Sequence, residues 1–197
     1  MIYSLLKQQD YTKMLWKNGK GYTYEIAKDT TQCQEGSFNW RISMAQVDQN
    51  GSFSDFSGYQ RVISVLEGEG IHLAIDDQSE EKLYPFTAFA FDGASQTQCT
   101  LLKDPVTDFN LIYAPQKYRA RCQWLNINEI QRFCSQAQTI LIFSVCDSMT
   151  IKTNQFNETL GKHETLFMTQ NESLKQFDLI TQANQNHFCC VIELSKI

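Results

Sequence analysis

Two arginines are the residues best placed to do chemistry. Arg41 lies in NWRISMAQV, where Trp40, Ile42 and Met44 alternate with Arg41, Ser43 and Ala45, the period of a strand with two unlike faces. Arg41 and Ser43 then point to the same side. If that side looks into a barrel, the guanidinium is partly dry and needs a planar anion or a buried carboxylate. Arg61 opens the next strand, after the turn FSDFSGYQ. Glu25, in YTYEIA, could serve either arginine as an internal partner. A ligand site and a structural ion pair are both open, because buried charges are retained for both reasons.

Other chemistries find less support. WKNGKG, with Trp16, Lys17 and Asn18, resembles a phosphate loop only in its glycines. A phosphate loop needs a strand before it and a helix after it, whereas YTYEIA alternates like a strand. A hairpin at Asn18-Gly19 is the simpler reading, although it leaves the density of Trp16, Lys17, Thr23 and Glu25 unexplained. His72, His163 and His187 are scattered without metal-ligand spacing, so no metal and no cofactor is expected. No nucleophile elbow or flanked catalytic cysteine is present, although a triad assembled only in the fold would escape such a search.

Composition narrows the partners further. The net charge of -5 over 197 residues gives no basic field for a phosphate backbone, so nucleic acid is not an expected partner. The one basic cluster, KYRAR, alternates Lys117, Arg119 and Arg121 and reads as a solvated strand face. The seven cysteines include no C-x-x-C pair and read mostly as small core residues with reduced thiols. Cys189-Cys190, inside HFCCVIEL, reads as core strand, with a redox pair as the alternative. MIYSLLKQQDYTKMLW is too short in apolar residues for a signal peptide, and no apolar run is long enough to span a bilayer. A cytoplasmic location is therefore expected, with no membrane partner.

The elements that must carry these residues are strands. RVISVLEGEGIHLAID is two strands around an E-G-E-G turn, TAFAFDGASQTQCTLL repeats the arrangement at Asp92-Gly93, and DFNLIYA follows. One short helix is expected at NINEIQRFCSQ, from Ile127, Ile130 and Phe133 with Asn126 or Asn128 as cap. The strand programme then restarts at TILIFSVCDSMTIK. Many short strands on both sides of one helix imply an all-β protein with two small barrels, divided here as residues 1–120 and 121–197.

Four pieces in order resemble the HutD/Ves family of small bicupin proteins. They are WKNGKGYTYEI, WRISMA, GSFSDFSGYQRVISVLEGEG and DFNL, dense over about half the chain; LGKHETLFM has the outline of a further cupin strand pair. The resemblance implies two cupin-type jelly-roll barrels in one chain, usually without the metal-binding histidines of other cupins. Family members are associated with histidine utilisation in some bacteria and with stress or cold responses in others. No enzymatic activity is firmly attached to them.

The implied function is non-catalytic binding of a small carboxylate such as N-formylglutamate, in a regulatory role. Carried onto this chain, the implied ligand-binding residues are Lys17, Asn18, Glu25, Arg41, Ser43, Arg61 and Asn110. Trp16, Trp40, Phe53 and Phe56 would wall the site or simply fill the core. Lys20 stands where the family often has a third glycine, which would narrow or recharge a pocket mouth. The alternatives are a metal-independent enzyme with Glu25 as general base and a protein-interaction module. Oligomeric state is left open, a homodimer included.

Overall fold

The computed structural model describes residues 2–16, 21–171, 173–182 and 187–197. Among these residues nineteen strands follow one another: β1 (Ile2–Leu6), β2 (Thr12–Leu15), β3 (Tyr22–Asp29), β4 (Trp40–Val47), β5 (Gly51–Ser52), β6 (Gln60–Glu67), β7 (Ile71–Ile75), β8 (Ser79–Leu83), β9 (Phe89–Asp92), β10 (Thr97–Leu101) and β11 (Val106–Tyr113), then β12 (Tyr118–Ile127), β13 (Ile130–Ser135), β14 (Thr139–Ser144), β15 (Met149–Lys152), β16 (Asn157–Leu160), β17 (Thr165–Thr169), β18 (Lys175–Ile180) and β19 (His187–Lys196). Among the described residues the one helical element is a 3₁₀ turn at Gln8–Asp10, and no helix is long and apolar enough to cross a membrane.

The chain divides into two compact units. Tyr11–Tyr118 forms a six-stranded sheet, β2-β3-β4-β11-β6-β9, and a four-stranded sheet, β5-β10-β7-β8. Ile63, Val65, Ile71, Leu73, Leu83 and Val106 are fully or nearly fully buried in its core. The E-G-E-G turn works as the sequence suggests. Gly70 has φ +129°, and a Cβ there would stand 2.5 Å from the Leu83 carbonyl oxygen, so only glycine fits.

The second unit joins Met1–Asp10 to Arg119–Ile197. Its sheets are β1-β17-β14-β19-β12 and β13-β18-β15-β16, around Ile140, Ile142, Met149, Leu166, Phe177 and Val191. The sequence-based division at 120/121 did not foresee this use of the first ten residues. β1 pairs with β17 from Ile2↔Thr169 to Leu6↔Thr165, a partner some 160 residues away that no local pattern announces.

The expected helix at 126–136 is not formed. Asn126 and Ile127 end β12, a tight turn follows with Glu129 at φ 65°, and 130–135 is β13. Ile130, counted on the helix's apolar face, is 59% exposed. The inward side of β13 instead carries Gln131, Phe133 and Ser135, a period of two. Cross-strand pairing with β18 decides the outcome. Phe133 stacks on Phe177 at 4.7 Å, and Arg132 holds both carboxylate oxygens of Asp178, at 2.6 and 3.2 Å. Of the thiols, Cys189 and Cys190 sit on opposite faces of β19, as neighbours in a strand must. The Cys190 sulfur lies 3.4 Å from that of Cys122 rather than beside Cys189.

Candidate functional site

The site is built on the lattice of the six-stranded sheet. β11 lies between β4 and β6, so its residues from Thr107 to Tyr113 have a neighbour on both sides. Ile112 pairs with Arg41 and Arg61, Asn110 with Ser43 and Ile63, and Asp108 with Ala45 and Val65. Alternate residues of a strand share a face, so Arg41, Ser43 and Ala45 of β4 meet Asp108, Asn110 and Ile112 of β11 on one surface. Thr23 of β3 extends the surface beside Ala45. Arg41 and Arg61 are two strands apart, about 10 Å between Cα atoms at ordinary sheet spacing.

These residues line a cavity of about 500 Å³. Met14, Leu15, Trp16, Phe53 and Phe56 supply its apolar wall, Thr23 and Ser43 its hydroxyls, and Arg41, Arg61, Asp108 and Asn110 its charged and amide groups. The volume suits a small organic molecule. Trp16 is fixed by its indole N–H, which donates to Thr23 Oγ1 at 2.9 Å, and by its backbone N–H, which donates to the Gly21 carbonyl.

Aromatic rings hold both guanidiniums. The Arg41 guanidinium carbon is 5.0 Å from the Phe38 ring and 5.1 Å from that of Phe56. That of Arg61 is 4.9 Å from Phe53, 5.5 Å from Phe56 and 5.0 Å from Phe91. Phe56 thus serves both cations, within the distance at which a ring's quadrupole attracts a charge. Arg61 is 5% exposed. Its Nη2 donates to Asn110 Oδ1 at 2.8 Å, and Asn110 in turn hydrogen-bonds Asp108. The Nε atoms of Arg41 and Arg61 are buried and have no hydrogen-bond partner among the described residues. Neither arginine has a carboxylate within ion-pair distance among those residues. Unpaired buried donors on two cations are costly unless something else pairs them.

The electrostatics follow from dryness. Burial pulls Arg61 down to about 10, against the pull of Asp108 upward and with the help of Arg41. Burial lowers Arg41 too, with Glu25 and Tyr59 opposing. Burial pushes Asp108 up to about 6 from 3.8, although Arg61, Asn110 and the Ala45 backbone N–H all favour its charged form. The folded protein therefore holds the Asp108 proton more tightly than the unfolded chain does. Its contribution to stability is full below pH 3.8 and is lost as pH rises through 6. That difference amounts to about 3 kcal/mol. Denaturant unfolding should show the stability of Asp108→Asn relative to the native chain rising by about that much from pH 4 to pH 7; parallel pH curves would refute it.

The residues expected to bind ligand are placed differently from one another. Arg41, Ser43, Arg61 and Asn110 all line the cavity. Glu25 does not. Its carboxylate meets Lys28 Nζ at 2.9 Å, because a bulge between Glu25 and Ala27 shifts the β3–β4 register. Lys17 and Asn18 lie outside the described residues, as does the Asn18-Gly19 turn; β2 and β3 pair on either side of it, Leu15 opposite Tyr22. Of the aromatics, Trp16, Phe53 and Phe56 wall the cavity, while Trp40 is buried away from it. Asp108, Phe38 and Phe91 escaped the sequence reading. Asp108 had a signal, since it alternates with Asn110 in DFN. Among the described residues no group of His, Cys, Asp and Glu could hold a metal ion.

Two barrels whose described strands pair antiparallel, with the cavity described above in the Tyr11–Tyr118 unit, define a bicupin: an all-β protein with two cupin-type jelly rolls in one chain. The fold superposes on a cupin 2 conserved barrel domain protein from Leptotrichia buccalis with a TM-score of 0.57 over 92% of each chain, at 9% identity, a likeness of fold alone. Residues 8–189 match HutD, and the chain belongs to the HutD family. HutD from Pseudomonas fluorescens SBW25, solved in a formate condition, superposes with a TM-score of 0.86 at 41% identity over the whole of both chains. An uncharacterized 21.2 kDa protein in the hutC 3′ region of Pseudomonas putida is 42% identical over 193 residues, 98% of this chain and 97% of its own length. Protein Ves of Escherichia fergusonii is 36% identical over 99 residues, 50% of this chain and 51% of its own.

Proposed function

We propose that this chain is a non-catalytic binder of a small organic carboxylate, N-formylglutamate or a close relative, and that it acts as a regulator of histidine utilisation. The observation that carries the reading is the pair of guanidiniums, Arg61 buried and Arg41 half-buried, that line one cavity against aromatic rings with no carboxylate in ion-pair distance among the described residues. A carboxylate is the planar acceptor that a guanidinium fork fits, and its charge offsets the two cations. Ser43, Thr23 and Asn110 supply orienting groups beside them. The Pseudomonas relatives, named for HutD and for the neighbourhood of hutC, support the histidine context; the Ves relative supports a stress response as the alternative setting.

Glu25, the base an enzymatic reading would use, pairs with Lys28 outside the cavity wall, which favours binding over turnover. The test is thermal unfolding with N-formylglutamate, urocanate, glutamate, formate and histidine, with and without chelator. A ligand at about 100 times its Kd adds roughly 2.7 kcal/mol of stability, several degrees for a chain of this size. A selective, chelator-insensitive shift for one acid, recovered chemically unchanged, is the expected result. A flat panel overturns the reading.

A further inference from the structure

Carboxylate binding alone gives Asp108 no task, yet it is 4% exposed and lines the cavity with the two arginines. We propose that Asp108 makes anion binding in this cavity proton-coupled: its carboxylate takes up one proton from solvent when an anionic ligand settles against Arg41 and Arg61. The inference rests on the carboxylate-binding reading above and adds to it a regulation of the same site by pH.

Geometry carries the argument. Arg61 reaches along the sheet to Asn110, and Asn110 reaches on to Asp108. The acid therefore sits at the end of a chain of groups that begins at a cation. Without ligand, Arg61 is the principal charge favouring ionised Asp108, helped by the Ala45 backbone N–H, which donates to Oδ1 at 3.2 Å. An anion on the guanidiniums consumes that positive potential and places a like charge in the same cavity as the desolvated Asp108 carboxylate. Like charges in one desolvated site do not both persist, and the weaker acid takes the proton. Here that acid is Asp108, since a small carboxylic acid in contact with two guanidiniums is the stronger one.

No other described charged group is set to intervene. Arg41 of β4 and Arg61 of β6 stay protonated at neutral pH. Cys99 of β10, pushed up to about 12 by burial and by Asp108, stays a thiol. Glu25 of β3, which pairs with Lys28, and Tyr59, after the aromatic loop, act on Arg41 and not on Asp108. Burial has already brought Asp108 to about 6, so a modest further push completes the protonation near pH 7.

The consequence is an affinity that falls as pH rises. Each pH unit above about 6 weakens binding by up to about tenfold, until the complex itself releases the proton. The test is titration calorimetry of the full chain with N-formylglutamate at pH 7, in two buffers of different protonation enthalpy, and at pH 6 and 8. The expected result is uptake of most of one proton and a Kd on the order of tenfold or more weaker at pH 8 than at pH 6. Asp108→Asn should abolish the uptake and flatten the pH dependence. Identical enthalpies in the two buffers with a flat Kd would overturn the inference while leaving carboxylate binding intact, and so would unchanged uptake by Asp108→Asn. The proton count on the native chain decides the matter even if that variant does not fold. Failure of N-formylglutamate, glutamate and formate to bind the native chain at pH 6 would remove the binding reading, and this inference with it.

Discussion

Replacing Arg61 with methionine should abolish ligand protection and destabilise the Tyr11–Tyr118 unit by about 1–3 kcal/mol at neutral pH, because it leaves the Asn110 carbonyl oxygen without its donor and the Asp108 carboxylate without the nearby cation that favours its ionised form. Methionine keeps much of the volume between the Phe53, Phe56 and Phe91 rings, so the cost is electrostatic rather than a cavity. What it strands is Asp108, whose ionised form depends on Arg61, and Asn110, whose carbonyl oxygen loses its donor at 2.8 Å. In a chain of this length the loss corresponds to a fall in Tm of roughly 5 °C. The defect should shrink at pH 5, where Asp108 is largely protonated even in the native protein. It should also be largely recovered by adding Asp108→Asn, since neither charge is then buried alone. Thermal unfolding of the native chain, both single variants and the double variant at pH 5 and 7 checks this. If the two substitutions add independently at pH 7, the coupling is absent and the account of Arg61 fails. Ligand protection should not return in the double variant, which separates the role of Arg61 in the fold from its role in binding.

How much of this could be read in advance depended on the range of the interactions involved. Alternation is local, so NWRISMAQV placed Arg41 with Ser43 without any knowledge of the sheet, whereas Asn110 was marked by the resemblance of DFNL to the family. The third member of that face, Asp108, was equally legible from the D-x-N spacing. It becomes notable only once β11 is seen between β4 and β6 with the arginines on either side. Glu25 shows the opposite case. In a regular strand residues three apart face opposite ways, so Lys28 was not a candidate partner. A bulge at Ile26, which leaves no periodic trace, turned them together. The 126–136 segment was misread for a related reason. Ile127, Ile130 and Phe133 fit a helical stripe, but the partner that stacks on Phe133 is Phe177, 44 residues on, and cross-strand pairing outweighed local spacing. The aromatic cradle was half visible: FSDFSGY offered Phe53 and Phe56, whereas Phe38 and Phe91 arrive from separate segments.

The loop that brings Phe56 to both arginines is held by one glycine, and Gly93→Ala should show it. The Gly93 backbone closes two hydrogen bonds with that loop, accepting from Phe56 N–H and donating to the Tyr59 carbonyl, each at 2.8 Å. A Cβ on Gly93 would stand 2.4 Å from the Phe56 carbonyl oxygen and 2.8 Å from that of Tyr59. Both obstacles are backbone, so no rotamer change relieves them and the loop itself must move. Overpacking of this kind costs about 1–3 kcal/mol, and weakening the two hydrogen bonds adds about 1 kcal/mol each. The displacement falls on Phe56, the ring common to both guanidiniums. The substitution should therefore weaken carboxylate binding although residue 93 is absent from the cavity wall. Calorimetric affinity and denaturant unfolding on the same variant separate the two effects. Loss of stability with unchanged affinity would mean that the site does not depend on where the loop holds Phe56. Loss of both, with Arg61 and Asp108 intact, would mean that cradling the arginines is part of how the anion is bound, and that the binding competence of this sheet is set by a turn outside it.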